Sequence, residues 1–264
     1  MSAQAANTDR SSDAPFAAGI WKSIFTEEFD EAELSPAKWT TCYWWNDRGC
    51  SNLGNKELQW YQPGNVRISN GNLRLRAQPE TVTGYKGQVF KYTSGMVTTG
   101  VDYSELPRKS RFEFHFGHVE MRAKIPAGKG LWPALWMLPT SRESRPEIDI
   151  MEVLGHTPTL LRMHLHTQTA SGERKSVGED VKTVDLAKGW HVYGLTWEAD
   201  AIIWYLDGKE VWRKDNPDGI PNEPMYLLIN LAVGGNWPGQ PDRNTKFPAD
   251  FLIDYVRVWQ RENQ

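Results

Sequence analysis

Basic excess, long apolar runs and helical periodicity are all missing from these 264 residues, and each absence removes a class of function. Lys and Arg number 30 against 33 Asp and Glu, a net charge of −3 with no basic stripe, so nucleic acid is not expected as a partner. No apolar run approaches the length of a transmembrane helix, and no membrane association is expected. The start of the chain shows no signal-peptide core; a chain beginning after a cleavage site, with Met1 added, would look the same. Residues 1–16, rich in Ser, Ala, Asn and Asp, read as a disordered tail. Cysteine is scarce, with only Cys42 and Cys50, and no matching Cys or His pair completes a zinc pattern. A disulfide closing a short loop beside Trp44, Trp45 and Asn46 suits a secreted protein; two free buried thiols are the alternative.

What is present is a period of two. Val119, Met121, Ala123 and Ile125 alternate with His118, Glu120, Arg122 and Lys124. Val66 and Ile68 lead through Asn70-Gly71 to Leu73, Leu75 and Ala77, a hairpin signature, and Ile202 to Arg213 repeats it through Asp207-Gly208. Many short strands punctuated by Gly and Pro predict an all-β sandwich or barrel, with residues 17–262 as one domain.

The chemistry concentrates in Glu147-Ile-Asp-Ile-Met-Glu152. Alternation puts Glu147 and Asp149 on one strand face and the isoleucines in the core. Strict continuation would send Glu152 inward, where a lone carboxylate is costly to desolvate. One extra residue at Met151, a β-bulge, returns Glu152 to the acidic face. Three carboxylates in a row raise one another's pKa values, which serves catalysis and not stability. Counting the bulge as one step, the two glutamates lie on the order of 13 Å apart at Cα. Side chains leaning together could reach the separation of about 5 to 5.5 Å used in double displacement, or the wider gap of about 6.5 to 9.5 Å used in inversion.

Thirteen tryptophans add a second theme. Sugar rings stack their C–H faces on aromatic rings, so exposed Trp marks a polysaccharide groove. Trp132 and Trp136 share a strand face, and Trp237 sits in the loop Gly-Gly-Asn-Trp-Pro-Gly. Trp136 suits the core as well as the groove. Trp197, Trp204, Trp212 and Trp259 lie in alternating strands and read as core. His164 and His166 share a face, which invites a metal; with no third ligand at a usable spacing, hydrogen bonding is the favoured role.

The acidic stretch resembles the bulged catalytic strand of glycoside hydrolase family 16, in its laminarinase-like branch. Gly130-Leu-Trp-Pro-Ala-Leu-Trp-Met-Leu-Pro139 before it and Leu231-Ala-Val-Gly-Gly-Asn-Trp-Pro-Gly239 after it are similar to that branch. So are Glu28-Phe-Asp30, Lys56-Glu-Leu-Gln59, Gly71-Asn-Leu73 and Asp254-Tyr-Val-Arg-Val258, in the expected order. The resemblance implies a jelly-roll sandwich with a groove on its concave face, a monomer, and retaining endo-hydrolysis of β-1,3- or mixed-linkage β-glucan. It implies Glu147 as nucleophile, Asp149 as helper and Glu152 as acid/base. It adds Glu57, Asn46 and His166 as groove residues, a secreted or periplasmic location, and a structural Ca2+ held by the carboxylates of Glu28 and Asp254 and the backbone of Gly71. Departures from the branch stand at Met96, where an arginine is usual after Ser94-Gly95, at Phe116-Gly117-His118, and in an insertion around Tyr103 to Arg111. They leave linkage open. Agar, carrageenan or a bacterial exopolysaccharide are alternative substrates, with Arg142, Arg145 and Arg162 the nearest thing to a basic cluster. A non-catalytic glucan-binding protein is the remaining alternative, and both surviving glutamates speak against it.

Overall fold

A computed structural model describes residues 21–45, 50–102, 104–169 and 171–262. The tail and Asn46 lie outside them. Both hairpins form at their turn residues. β3 (Val66–Ser69) pairs with β4 (Asn72–Thr83), Ser69 opposite Asn72. Asn70 and Gly71 between them have φ of 55° and 68°, the left-handed pair that a two-residue hairpin turn requires. Asp207 and Gly208, at 50° and 73°, join β13 (Ile202–Leu206) to β14 (Lys209–Lys214) in the same way.

Ten strands make one sheet. Its path runs β14, β13, β12 (His191–Trp197), β7 (Gly117–Lys124), β16 (Ala249–Arg261), β4, β5 (Val89–Ser94), β2 (Gln59–Tyr61); β1 (Trp21–Glu27) joins β16 and β3 joins β4. A second sheet runs β11 (Arg174–Lys182), β10 (Leu160–Gln168), β9 (Glu147–Glu152), β8 (Leu131–Pro139), β15 (Met225–Val233), β6 (Met96–Thr98). All pairings but β2 with β5 are antiparallel. The result is a jelly-roll β-sandwich.

Between the sheets, Leu73, Leu75, Val119 and Met121 from one side meet Leu135, Met137, Ile148 and Leu227 from the other, all fully buried. Each such side chain contributes about 1.5–3 kcal/mol on leaving water. Trp197, Trp204 and Trp259 are buried as their alternation predicts, while Trp212 is half-buried and stacks on Trp204 at 4.1 Å. The outward face of β7 is covered as well: His118 is 1% exposed, hydrogen-bonded to Thr196 at 2.7 Å, with the Trp21 and Trp259 rings against it.

Alternation in the six-stranded sheet separates core from surface cleanly. Leu131, Leu135 and Met137 of β8 point inward, and Trp132, Ala134, Trp136 and Leu138 point out into a cleft. A second, smaller core of Tyr43, Tyr61, Met96, Trp136, Tyr226 and Leu228 lies on that outer face at one end of the cleft.

Candidate active site

β9 is bulged. Across it, Trp136 of β8 stands opposite Asp149, but the next residue, Leu135, stands opposite Met151 and Ala134 opposite Glu152. On the other side His164 faces Asp149 and Arg162 faces Glu152. Two residues, Ile150 and Met151, thus occupy the place of one, and both point into the core at 2% and 0% exposure. The sequence places the extra residue at Met151; in the structure the step involves Ile150 and Met151 together, because both side chains gain by burial. Glu147, Asp149 and Glu152 consequently share the outer face and line one cleft. A bulge interrupts the hydrogen-bond ladder. Here the Asp149 carbonyl accepts a hydrogen bond at 3.0 Å from the indole of Trp204, which reaches across the core from the opposite sheet.

The cleft encloses about 790 Å³, and its floor is acidic. Asp149 and Glu152 are 3% and 7% exposed. Burial, followed by the charge of Asp149, pushes Glu147 up to about 8. Burial and the neighbouring Glu152 hold Asp149 well above the usual carboxylate range. Glu147 therefore keeps its proton at neutral pH, as a crowded row of buried carboxyls favours. His166 Nε2 lies 3.2 Å from Asp149 Oδ2, and burial lowers its pKa, so it enters that contact as a neutral ring near pH 7. His164 Nδ1 and Glu152 Oε2 share a hydrogen bond of 3.0 Å.

The walls are aromatic. Trp237 is 41% exposed and meets the half-buried Trp132 edge-on at 5.2 Å, with the Arg162 guanidinium over its ring at 5.5 Å. Trp136 does both things its position allows. It lines the cleft yet is only 8% exposed, its Nε1 donating to Asn230 Oδ1 at 2.7 Å, and Asn230 in turn donates to the Tyr61 hydroxyl at 3.0 Å.

Glu57 also lines the cleft, received by the amides of Asn55 (3.0 Å) and Gln59 (2.6 Å) and pushed by burial to about 7. Its segment is docked on the Gly-Gly loop: Leu58 N donates to Val233 O, Val233 N to Gln59 Oε1, and Asn236 N to Asn55 O. A Cβ on Gly235, at φ 119°, would stand 2.8 Å from the Asn55 carbonyl, so only glycine allows this approach.

Cys42 and Cys50 form a disulfide, Cα atoms 5.5 Å apart, which removes the free-thiol alternative. Between them Tyr43 stacks on Trp45 at 4.2 Å and sets its edge against Trp136, and Tyr43, Trp44 and Trp45 line the cleft. Met96 is fully buried in the same cluster as Tyr43, Tyr61 and Trp136. Asn230 and Tyr43 were not singled out from sequence. Asn230 had a readable signal, a lone amide in the apolar run Tyr226–Val233.

The residues named for calcium converge. β16 pairs along one edge first with β4 and then with β1, and Asp254 sits at the junction where Glu28 follows β1 and Gly71 precedes β4. Both Glu28 carboxylate oxygens are already engaged by Arg257, at 2.7 and 2.9 Å, and Asp254 Oδ2 by Arg122 at 2.7 Å. A hard cation at this junction would have to share the Glu28 and Asp254 carboxylate oxygens with the two arginines.

A jelly-roll sandwich whose cleft-facing strand carries a bulged Glu-x-Asp-x-x-Glu row belongs among the carbohydrate-active sandwiches. The chain is a member of the glycosyl hydrolases family 16, whose pattern matches residues 55–257. It is 32% identical over 254 residues to the endo-1,3-1,4-beta-glycanase EglC of Rhizobium meliloti, covering 91% of this chain and 52% of that one. It is 31% identical to the beta-glucanase of Rhodothermus marinus, covering 96% and 88%. The laminarinase catalytic domain of Thermotoga petrophila RKU-1 superposes with a TM-score of 0.80 at 32% identity, covering 93% of this chain and all of that one. The chain thus spans about half the length of EglC.

Proposed function

We propose that this chain is a retaining endo-hydrolase of β-1,3- or mixed β-1,3-1,4-glucan. The observation that carries the reading is the bulge that puts Glu147 and Glu152 on one cleft floor with Asp149 between them. Glu147 attacks the anomeric carbon, and Glu152 protonates the departing oxygen and then takes a proton from water. Asp149 holds a proton against Glu147 and keeps the two glutamates in different ionisation states. Trp132 and Trp237 stack sugar rings, and Asn230, Glu57 and His166 supply hydrogen bonds. The names of EglC and the Rhodothermus and Thermotoga proteins support the polymer class.

Arg145 is the one Lys or Arg among the described cleft-lining residues, against Glu57, Glu143, Glu147, Asp149 and Glu152. That balance disfavours sulfated or acidic polymers and favours a neutral glucan. The disulfide supports a secreted or periplasmic location. A monomer with Ca2+ at the Asp254 junction completes the reading; chelator should then lower the melting temperature without changing the cleavage products, and an unchanged melting temperature removes the calcium.

The test is a reducing-sugar panel on laminarin, curdlan, lichenan, barley glucan, agarose and carrageenan, with two variants. Glu147→Gln should lower hydrolysis by about a thousandfold or more with folding kept. Glu152→Ala should regain turnover with azide and release a β-glycosyl azide. Full activity of Glu147→Gln overturns the assignment, and binding to curdlan without release of reducing ends revives a non-catalytic role.

A further inference from the structure

His164 and His166 lack a third ligand in the linear sequence, and the fold supplies one. The bulged strand sets Asp149 beside them, and one donor atom from each of the three lies within 4.8 Å of the others. Two imidazoles and a carboxylate are a donor set for a borderline transition cation. His166 Nε2 to Asp149 Oδ2 is 3.2 Å, close to the edge of about 3.4 Å expected for a tetrahedron with bonds of about 2.0–2.1 Å. The two imidazoles are nearly parallel, 19° apart in plane with centroids at 5.5 Å, and both are about three-quarters buried, so modest side-chain rotation closes the set. Glu152 touches His164 Nδ1, the carboxylate–imidazole contact that orients histidine ligands in metal sites. Trp237 covers His164 edge-on at 6.0 Å, and the open cleft gives the ion a way in.

We infer that Asp149, His164 and His166 form a binding site for Zn2+ or Cu2+ on the floor of the catalytic cleft, and that an ion there excludes the polysaccharide. The ion takes up the carboxylate that stands between the two glutamates, in the space a glycosidic bond would occupy. Cation and glucan are therefore competitors, and the ion acts as a reversible inhibitor without taking part in bond cleavage.

Isothermal titration of the whole, untagged chain with zinc chloride should show one ion per chain. The double variant His164→Asn/His166→Asn should weaken binding by about thirtyfold or more, while His191→Gln, which alters the His191–Asp207 contact elsewhere, should leave it unchanged. Laminari-oligosaccharide should displace the ion. In the unaltered enzyme, zinc at ten times its dissociation constant should raise the apparent KM about tenfold at constant kcat, with EDTA restoring the original value. Absence of binding, binding that survives the double variant, or inhibition that lowers kcat alone would each overturn the site. Should the double variant lose its fold, the Cu2+ electron paramagnetic spectrum of the unaltered chain decides. Coupling to two imidazole nitrogens supports the site and any other nitrogen count refutes it. Zinc binding is read without turnover, so its failure leaves the glucanase reading standing, and an inactive chain would leave the metal site intact.

Discussion

Glu147 sets stability against chemistry. Its carboxyl is pushed to about 8 in the folded chain, above the value near 4.3 of a free glutamate. The folded state therefore binds more protons than the unfolded one between those two values, and stability falls as pH rises through that window. Below it the folded carboxyl is protonated at little cost. Glu147→Gln removes the ionisation, so it should raise Tm at pH 8 by about 3 °C or more and leave Tm at pH 4 nearly unchanged. Calorimetry at the two pH values checks the sign. An equal gain at both would mean that packing, not ionisation, governs the position. The same proton must leave before Glu147 can attack, so the acid limb of kcat/KM should lie near neutral pH and not near 4.5.

At the scale of elements, the bulge in β9 decides which acids meet. It was legible because Glu152 stands at an inward parity, and an unpaired carboxylate in the core is forbidden on electrostatic grounds. Its support was not legible. Trp204 reads as one more core tryptophan, and nothing local links it to a strand 55 residues earlier. Trp204→Phe keeps the ring and deletes the N–H, leaving the buried Asp149 carbonyl short of a donor at a cost of about 1–3 kcal/mol. If that bond holds the bulge in register, kcat should fall about tenfold with KM within twofold, and the pH profile should move as the spacing of the acids relaxes. A fall in Tm with kcat and pH profile unchanged would assign Trp204 to packing alone. The docking of Glu57 on the Gly-Gly loop was half legible: both motifs stand out in sequence, but their contact is made across the fold.

For the whole molecule, the Cys42–Cys50 bridge fastens the aromatic wall of Tyr43, Trp44 and Trp45 to one end of the cleft. Glu147 and Glu152 lie on another element, in the middle of the six-stranded sheet. Replacing both cysteines by serine should therefore raise KM for long glucans severalfold while kcat stays within about twofold. A fall in kcat with KM unchanged would tie the loop to the catalytic strand instead. The wall's burial could not be read from the sequence, because Tyr43 is covered by Tyr61, Trp136 and Tyr226, which come from three distant strands.

The sequence by itself determined the all-β class, both hairpin turns and the acidic strand with its bulge. Each depends on residues within a few positions of one another, where side-chain parity, left-handed backbone and the cost of burying charge act directly. Only the tertiary structure decided that Asn230 lines the cleft with the acids, that Trp204 caps the bulge, and that Asp149 joins His164 and His166. Those contacts arise when two sheets close over a shared core, and the burial that drives the closure is indifferent to the distance along the chain it spans.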